Sequence, residues 1–252
     1  MFQAFSFRKI GIFLFWTALW QILAELIHNS IVLVGPCDVL LALGSLLPTP
    51  GFWLSVGSSF GKISLGFLAA FLCGVTAGSL AYRFPLFREF LEPMVLLMKS
   101  VPVAAFVILA LIWIGSGNLS VLISFLVVFP ILYVNTLTGL KSTDRKLLEM
   151  AQVFSVPLAE RIRCIYLPAL LPHLIGGCRI ALGMSWKSGI AAEVIGVPSH
   201  TIGEKLYMSK IYLSTADLFA WTIVIIAVSA LFEKLFLMLL ERGVRLCFRF
   251  SL

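Results

Sequence analysis

Six apolar stretches, separated by clusters of polar residues, organise this chain of 252 residues. They fall at about 10–27, 61–82, 93–114, 119–138, 174–195 and 216–240. A helix needs roughly 20 apolar residues to cross a bilayer, and each stretch is near that length. The pattern predicts an all-α integral membrane protein, a six-transmembrane-helix bundle with a cytoplasmic helix–turn–helix loop between spans four and five. Between the first two spans lies a Gly/Pro/Ser-rich segment from Gly35–Pro36 to Pro50–Gly51. It encloses the apolar piece Val39–Leu47, too short to cross and expected at the interface. Ile114–Gly–Ser–Gly–Asn118 reads as a tight turn between spans three and four.

Composition narrows the class. Apolar residues make up 60% of the chain and charged residues 12%, with a mean hydropathy of +1.05, which excludes an ordinary soluble domain. Five scattered cysteines (Cys37, Cys73, Cys164, Cys178, Cys247) have no paired spacing. They read as small apolar packing residues, and neither a disulfide framework nor a metal site is expected. No small-residue cleavage site follows the apolar run from Ile10, so a cleaved signal peptide is not expected.

The net charge of +7 is explained by loop charge and needs no nucleic acid. Twelve basic residues fall in one set of loops: Arg8, Lys9, Arg83, Arg88, Lys141, Arg145, Lys146, Arg161, Arg163, Arg242, Arg245 and Arg249. The opposite set holds three, Lys62, Lys205 and Lys210. The bias predicts that both termini and the loop between spans four and five lie in the cytoplasm.

Spans two and five carry small residues at every fourth position. They are Gly66, Ala70, Gly74 and Gly78 in one, Gly177, Ala181, Ser185 and Gly189 in the other. Residues four apart share a helix face, so each span offers a smooth stripe for close packing in lipid. Such stripes suit either a helix pair that slides during transport or a static bundle. Span five also holds Arg179, Trp186, Lys187 and Glu193. Charges inside a span are costly and usually face a bundle interior or an aqueous cavity. Lys187 is the deepest and reads as path-lining or as half of a structural ion pair; Arg179 and Glu193 sit near the ends, where snorkelling is available. In span three, Lys99 precedes Ser100–Val101–Pro102, and Pro102 predicts a kink.

The polar segment 141–168 is too long for a simple turn. Thr143 is suited to cap a helix through Arg145, Leu147, Leu148 and Ala151, with Asp144 in its first turn. Pro157 breaks that helix and is suited to open a second one, ending near Leu167. Pro168 and Pro172 mark the return to the membrane.

Within this segment, Glu149–Met–Ala151, Ser155 and Ile165–Tyr–Leu167–Pro168 resemble the Glu-Ala-Ala loop of permease subunits of ABC importers. Met150 stands where the family has the first Ala, and Ser155 where it has Gly. A Gly there enters the left-handed region freely; Ser either adopts that conformation at a cost or caps the second helix instead. Further matches are to the nitrate/sulfonate/taurine branch: Lys99–Ser–Val–Pro102, Ile112–Trp–Ile–Gly115, Ala181–Leu–Gly183–Met–Ser–Trp186, Ala192–Glu193 and Asp217–Leu–Phe–Ala–Trp221–Thr.

The resemblance covers about 55–243, the permease domain, with 1–54 and a tail at 244–252 outside it. It implies a type I, binding-protein-dependent importer subunit in a prokaryotic plasma membrane. Its coupling loop, at 141–168, would engage the ATPase through Glu149, Ala151, Ser155, Leu167 and Pro168. The translocation path would be lined by Lys187, Trp186, Glu193, Lys99 and Pro102. The implied partners are a second copy of the chain, two cytoplasmic ATP-binding subunits, an external solute-binding protein and the lipid bilayer. No cofactor is implied, and the chain has no Gly-x-x-x-x-Gly-Lys-Ser/Thr loop with which to hold ATP.

Two other classes compete. An intramembrane protease needs a serine–histidine pair or two aspartates within spans; His28, His173 and His200 fall in loops or at span ends. An ion-driven secondary transporter would show an internal repeat and a broken, carboxylate-bearing span. Lys187 and Arg179 favour a small anionic solute, of the sulfonate, nitrate or pyrimidine-precursor kind that the branch carries.

Overall fold

The computed structural model describes the backbone of residues 2–249 and the side chains of residue 8 and residues 10–243. The side chains of Lys9, Arg245, Cys247 and Arg249, counted above for orientation or packing, lie outside the described residues. Among the described residues the fold is entirely helical. In chain order the helices are α1 (Phe2–Ile27), α2 (Pro36–Leu46), α3 (Pro50–Arg83), α4 (Pro85–Ser100), α5 (Val103–Ile114) and α6 (Leu119–Lys141). There follow α7 (Arg145–Val153), α8 (Leu158–Arg161), a π turn (Ile162–Tyr166), α9 (Leu167–Gly196), α10 (Ile202–Ile211) and α11 (Thr215–Arg249). Five spans are long and apolar enough to cross: Ile10–Ile27 within α1, α3, α6, the run Leu158–Gly196, and Thr215–Gly243 within α11.

Span three differs from the expected kinked helix at 93–114. Helices α4 and α5 meet at 105°, and α4 begins eight residues earlier, at Pro85. Pro102 removes a backbone donor and holds Val101 in extended geometry (φ −76°, ψ 131°), which ends α4 outright. At 1.5 Å per residue α5 is about 18 Å long, short of a bilayer core of about 30 Å. Helix α4 is amphipathic, with Leu86, Phe90 and Leu97 exposed beside Arg88, Glu92 and Lys99.

The core is a three-helix sandwich with α6 in the middle. The stripe Gly66–Ala70–Gly74–Gly78 on α3 lies against α6: a Cβ on Gly74 would stand 2.9 Å from the Leu132 Cβ, and one on Gly78 2.8 Å from the Thr136 Cβ. The stripe on α9 reaches α6 from the other side, where a Cβ on Gly177 would stand 2.7 Å from the Asn135 side chain. Nearer the C-terminal end of α9, Gly189 meets both Ile63 of α3 and Ser124 of α6. Helix α6 answers with a four-residue row of its own, Ser120, Ser124, Val128, Leu132 and Thr136, every one fully buried. Both stripes therefore serve close packing onto α6, where dispersion between backbones replaces a hydrophobic drive.

Aromatic rings fill the space between α3, α9 and α11. Phe67 sits edge-on to Phe236 at 4.8 Å, and Phe60 and Phe232 flank Trp186 at 6.2 and 6.3 Å. Helix α2 forms a real helix over the short apolar piece and buries Val39 against α11 with Ala220. Helix α1 is peripheral, touching the bundle through Trp20 and Phe219 at 5.6 Å. Of the described cysteines Cys178 is buried, whereas Cys37, Cys73 and Cys164 are exposed. The packing role expected of all five holds for Cys178; Cys73 falls one residue off the buried stripe of α3, about 100° round the helix.

Candidate functional site

The loop at 141–168 is built around one helix stop. Helix α7 is capped by Asp144, whose Oδ1 accepts a hydrogen bond from the Lys146 N–H at 2.9 Å. Thr143, the expected cap, instead donates its hydroxyl proton to the Leu140 carbonyl at 2.8 Å. Asp wins because its side chain reaches the exposed N–H groups without giving up a bond elsewhere.

At the far end the Val156 N–H reaches the Ala151 carbonyl at 2.9 Å and the Ser155 N–H the Gln152 carbonyl at 3.1 Å. These two bonds make a Schellman stop with Ser155 as its left-handed residue, φ 52°. Of the two alternatives open to Ser155, the structure takes the strained one, at a cost of about 1–2 kcal/mol for an L-residue. Arg161 braces the turn by donating from Nε to the Val156 carbonyl at 2.8 Å.

The helix–turn–helix is present as α7, the Ser155 turn and α8, but its second helix does not stop where expected. Helix α8 does not end at Leu167; it passes through the π turn directly into α9. The Leu167 N–H reaches back five residues, to Ile162, and the wider turn lets Pro168 enter without a clash against the preceding carbonyls. Glu149, Ala151 and Ser155 therefore share one turn, while Leu167 and Pro168 open the spanning helix. Ala151 is buried. Glu149 is exposed and makes no ion pair among the described residues. Met150, Val153, Phe154 and Leu158 are exposed around it.

A second constellation lies at the other end of α9. Glu193 is fully buried. Its Oε2 accepts from the Ser59 hydroxyl at 2.7 Å and from the Gly203 N–H at 3.2 Å. The Ser59 oxygen accepts in turn from the Ile202 N–H at 2.8 Å. One carboxyl and one hydroxyl thus satisfy the first two amides of α10, which have no partner within their own helix, and tie α3, α9 and α10 into one knot. Gly203 makes the approach possible, since a Cβ there would stand 2.7 Å from the Val194 nitrogen. The turn leading into the knot is strained, with Val197 at φ 46° and His200 at φ 58°. Ser59 and Gly203 gave no signal in the sequence. Thr201–Ile–Gly–Glu204 did: it is a capping-box pattern, and Thr201 accepts from the Glu204 N–H at 3.2 Å.

The five residues expected along a path divide. Trp186 and Glu193 are inside the bundle and reach none of its surfaces, whereas Lys187, Lys99 and Pro102 are exposed. A seven-residue spacing drifts about 20° per step on a straight helix, and along α9 the face carrying exposed Arg179 turns inward to buried Trp186 and Glu193. Lys187 belongs instead to an outward row with Ile180, Met184, Ala191 and Ile195, where it has no ion-pair partner among the described residues.

Residues 62–246 match the family described as binding-protein-dependent transport system inner membrane component. The chain is similar to the putative aliphatic sulfonates transport permease protein of Bacillus subtilis (strain 168), with 30% identity over 89% of this chain and 82% of that one. It is similar to the taurine transport system permease protein of Escherichia coli (strain K12), with 29% identity over 90% of this chain and 84% of that one. The bicarbonate transport system permease protein of Synechocystis sp. is 29% identical over 57% of this chain and 51% of its own length.

Proposed function

We propose, from the premise that this chain belongs to the family of binding-protein-dependent transport system inner membrane components, that it is the membrane subunit of an ATP-driven importer for a small sulfonate-like anion. Two copies enclose the path, with both termini and α7 in the cytoplasm. Two ATP-binding subunits dock below, and an external solute-binding protein delivers the solute from above. The chain supplies the passage and no catalytic group; hydrolysis belongs to the partner.

The observation that carries the coupling reading is the Ser155 stop. It ends the helix that carries exposed Glu149 beside Met150, Val153 and Phe154, with Ala151 buried and its carbonyl accepting from the Val156 N–H. Apolar side chains grouped around a free charge at an aqueous end are the composition of a protein interface. The path reading rests on Lys187, a cation on an outward apolar face of a span, whose cost in lipid is relieved where two copies enclose water. The substrate class rests on that charge and on the sulfonate and taurine permeases the chain is similar to.

The bent α4–α5 pair is a feature that ion-driven carriers also use. Here the break, Ser100–Val101–Pro102, holds no carboxylate. Reconstitution of the chain with its ATPase and binding protein distinguishes the two classes. Uptake should require ATP, and Glu149→Lys should leave the chain inserted and folded while abolishing ATP-coupled uptake. Uptake that persists without ATP or without the ATPase would overturn the importer reading.

A further inference from the structure

A cavity of about 230 Å³ opens between α4 and α6, lined by Arg88, Glu92, Lys99, Tyr133 and Lys141 with a floor that includes Val95. Three of these side chains are cationic and one anionic. Arg88 reaches Glu92 at 3.9 Å, and Lys99 and Lys141 have no ion-pair partner among the described residues. Tyr133 is the singular member. It is 3% exposed, and its hydroxyl, shut off from solvent, has no hydrogen-bond partner among the described residues. Buried hydroxyls are nearly always partnered, so an orphan of this kind on a cavity wall marks a place for an acceptor.

The acceptor must also suit the cations. An amide or alcohol would satisfy Tyr133 and leave the excess positive charge uncompensated. A carboxylate has two oxygens in one plane. A phosphate or sulfonate group has oxygens in three directions or more and accepts from a phenol, an ammonium and a guanidinium together. The cavity has room for roughly seven waters at about 30 Å³ each, enough for such a group with part of its hydration shell. Basic pockets between helices at the cytoplasmic surface are also where phospholipid head groups bind, and the amphipathic α4 is of the kind that lies in that surface.

We propose that this cavity is an oxyanion site: a phosphate or sulfonate group seats between α4 and α6, held by Arg88, Lys99 and Lys141 and accepting the Tyr133 hydroxyl proton. The site stands on the inner side only through the orientation adopted in the proposed function. Its occupancy requires neither ATP nor transport.

The test uses the full chain in its importer complex, in nanodiscs of phosphatidylcholine alone or with phosphatidylglycerol. Phosphatidylglycerol retained by the delipidated complex is counted by native mass spectrometry. Binding of inorganic phosphate and of taurine is measured by titration in the neutral discs. Retention of phosphatidylglycerol identifies a head group as the source, and saturable binding of phosphate or taurine identifies a free solute; either outcome supports the site. Tyr133→Phe should weaken that binding at least fivefold, Lys99→Gln with Lys141→Gln at least tenfold, and Lys210→Gln, on α10, not at all. Tyr133→Phe keeps the ring and its packing, so its fold is expected to survive, and Lys99→Arg should retain binding. Absence of all three ligands from the wild-type complex, or undiminished binding by either the Tyr133→Phe or the double-lysine variant, would overturn the proposal. Since binding is read without turnover, that result would leave the importer reading standing.

Discussion

Replacing Glu193 by alanine should cost far more than replacing it by glutamine. Alanine removes the acceptor of two buried donors, the Ser59 hydroxyl and the Gly203 amide. The hydroxyl can rotate to a carbonyl one turn earlier in α3, but the amide is fixed and is left unpaired at about 1–3 kcal/mol. The cavity left by the lost carboxyl group and methylene adds a further 1–2 kcal/mol or so, judged from large-to-small substitutions in packed interiors. The sum is about 2–5 kcal/mol for Glu193→Ala. Glutamine keeps a carbonyl oxygen where Oε2 stands and should cost about 1 kcal/mol. The assay is the thermal midpoint of the detergent-solubilised complex, joined to hydrogen exchange at the Ile202 and Gly203 amides. Both amides should lose protection in Glu193→Ala and keep it in Glu193→Gln. Equal midpoints and unchanged protection in the two variants would refute the knot. Loss of uptake in Glu193→Gln at wild-type stability would show instead that charge at this position is what function needs.

Three other outcomes follow from the geometry. Ser155→Gly should stabilise the turn by up to about 1 kcal/mol, the left-handed strain relieved less the extra unfolded-state entropy of glycine. Uptake per ATP hydrolysed should be preserved, whereas Ser155→Val should lower it. Lys187→Met should change anion uptake in proteoliposomes several-fold while Lys62→Met changes it little; equal effects would remove Lys187 from the path. Gly74→Val should separate α3 from α6 and lower the thermal midpoint, overpacking costing about 1–3 kcal/mol. Gly61→Ala, on the same helix with open space around it, should be neutral.

Much of the architecture was readable because lipid leaves a chain few options. The apolar lengths located five crossings and the stripes on spans two and five marked two packing faces. The matching face on α6 went unread because Val128 and Leu132 interrupt its small residues, so the row is visible only once its neighbours' glycines are seen to receive those side chains. Pro102 was legible as a disturbance but not as a 105° break, which depends on α4 leaving the bundle as an amphipathic helix. Ser155 was legible as a question that only a backbone angle answers. The near-end position of Glu193 suggests snorkelling, yet the side chain is buried: its partners, Ser59 and Gly203, lie on two other helices, and no spacing along α9 encodes them.

The direct passage of α8 through the π turn into α9 gives the protein a lever. From Leu158 to Gly196 the run is 39 residues, about 57 Å at 1.5 Å per residue. It starts three residues past Ser155 and carries Glu193 near its other end. As a rigid arm, a tilt of about 10° at the Ser155 end would displace the other end by about 10 Å over that length. Helix α6, packed between α9 and α3, would travel with it, and so would α10, which Glu193 and Ser59 tie to α9 and α3. The Val101–Pro102 break between α4 and α5 is then the place for the hinge of such a swing.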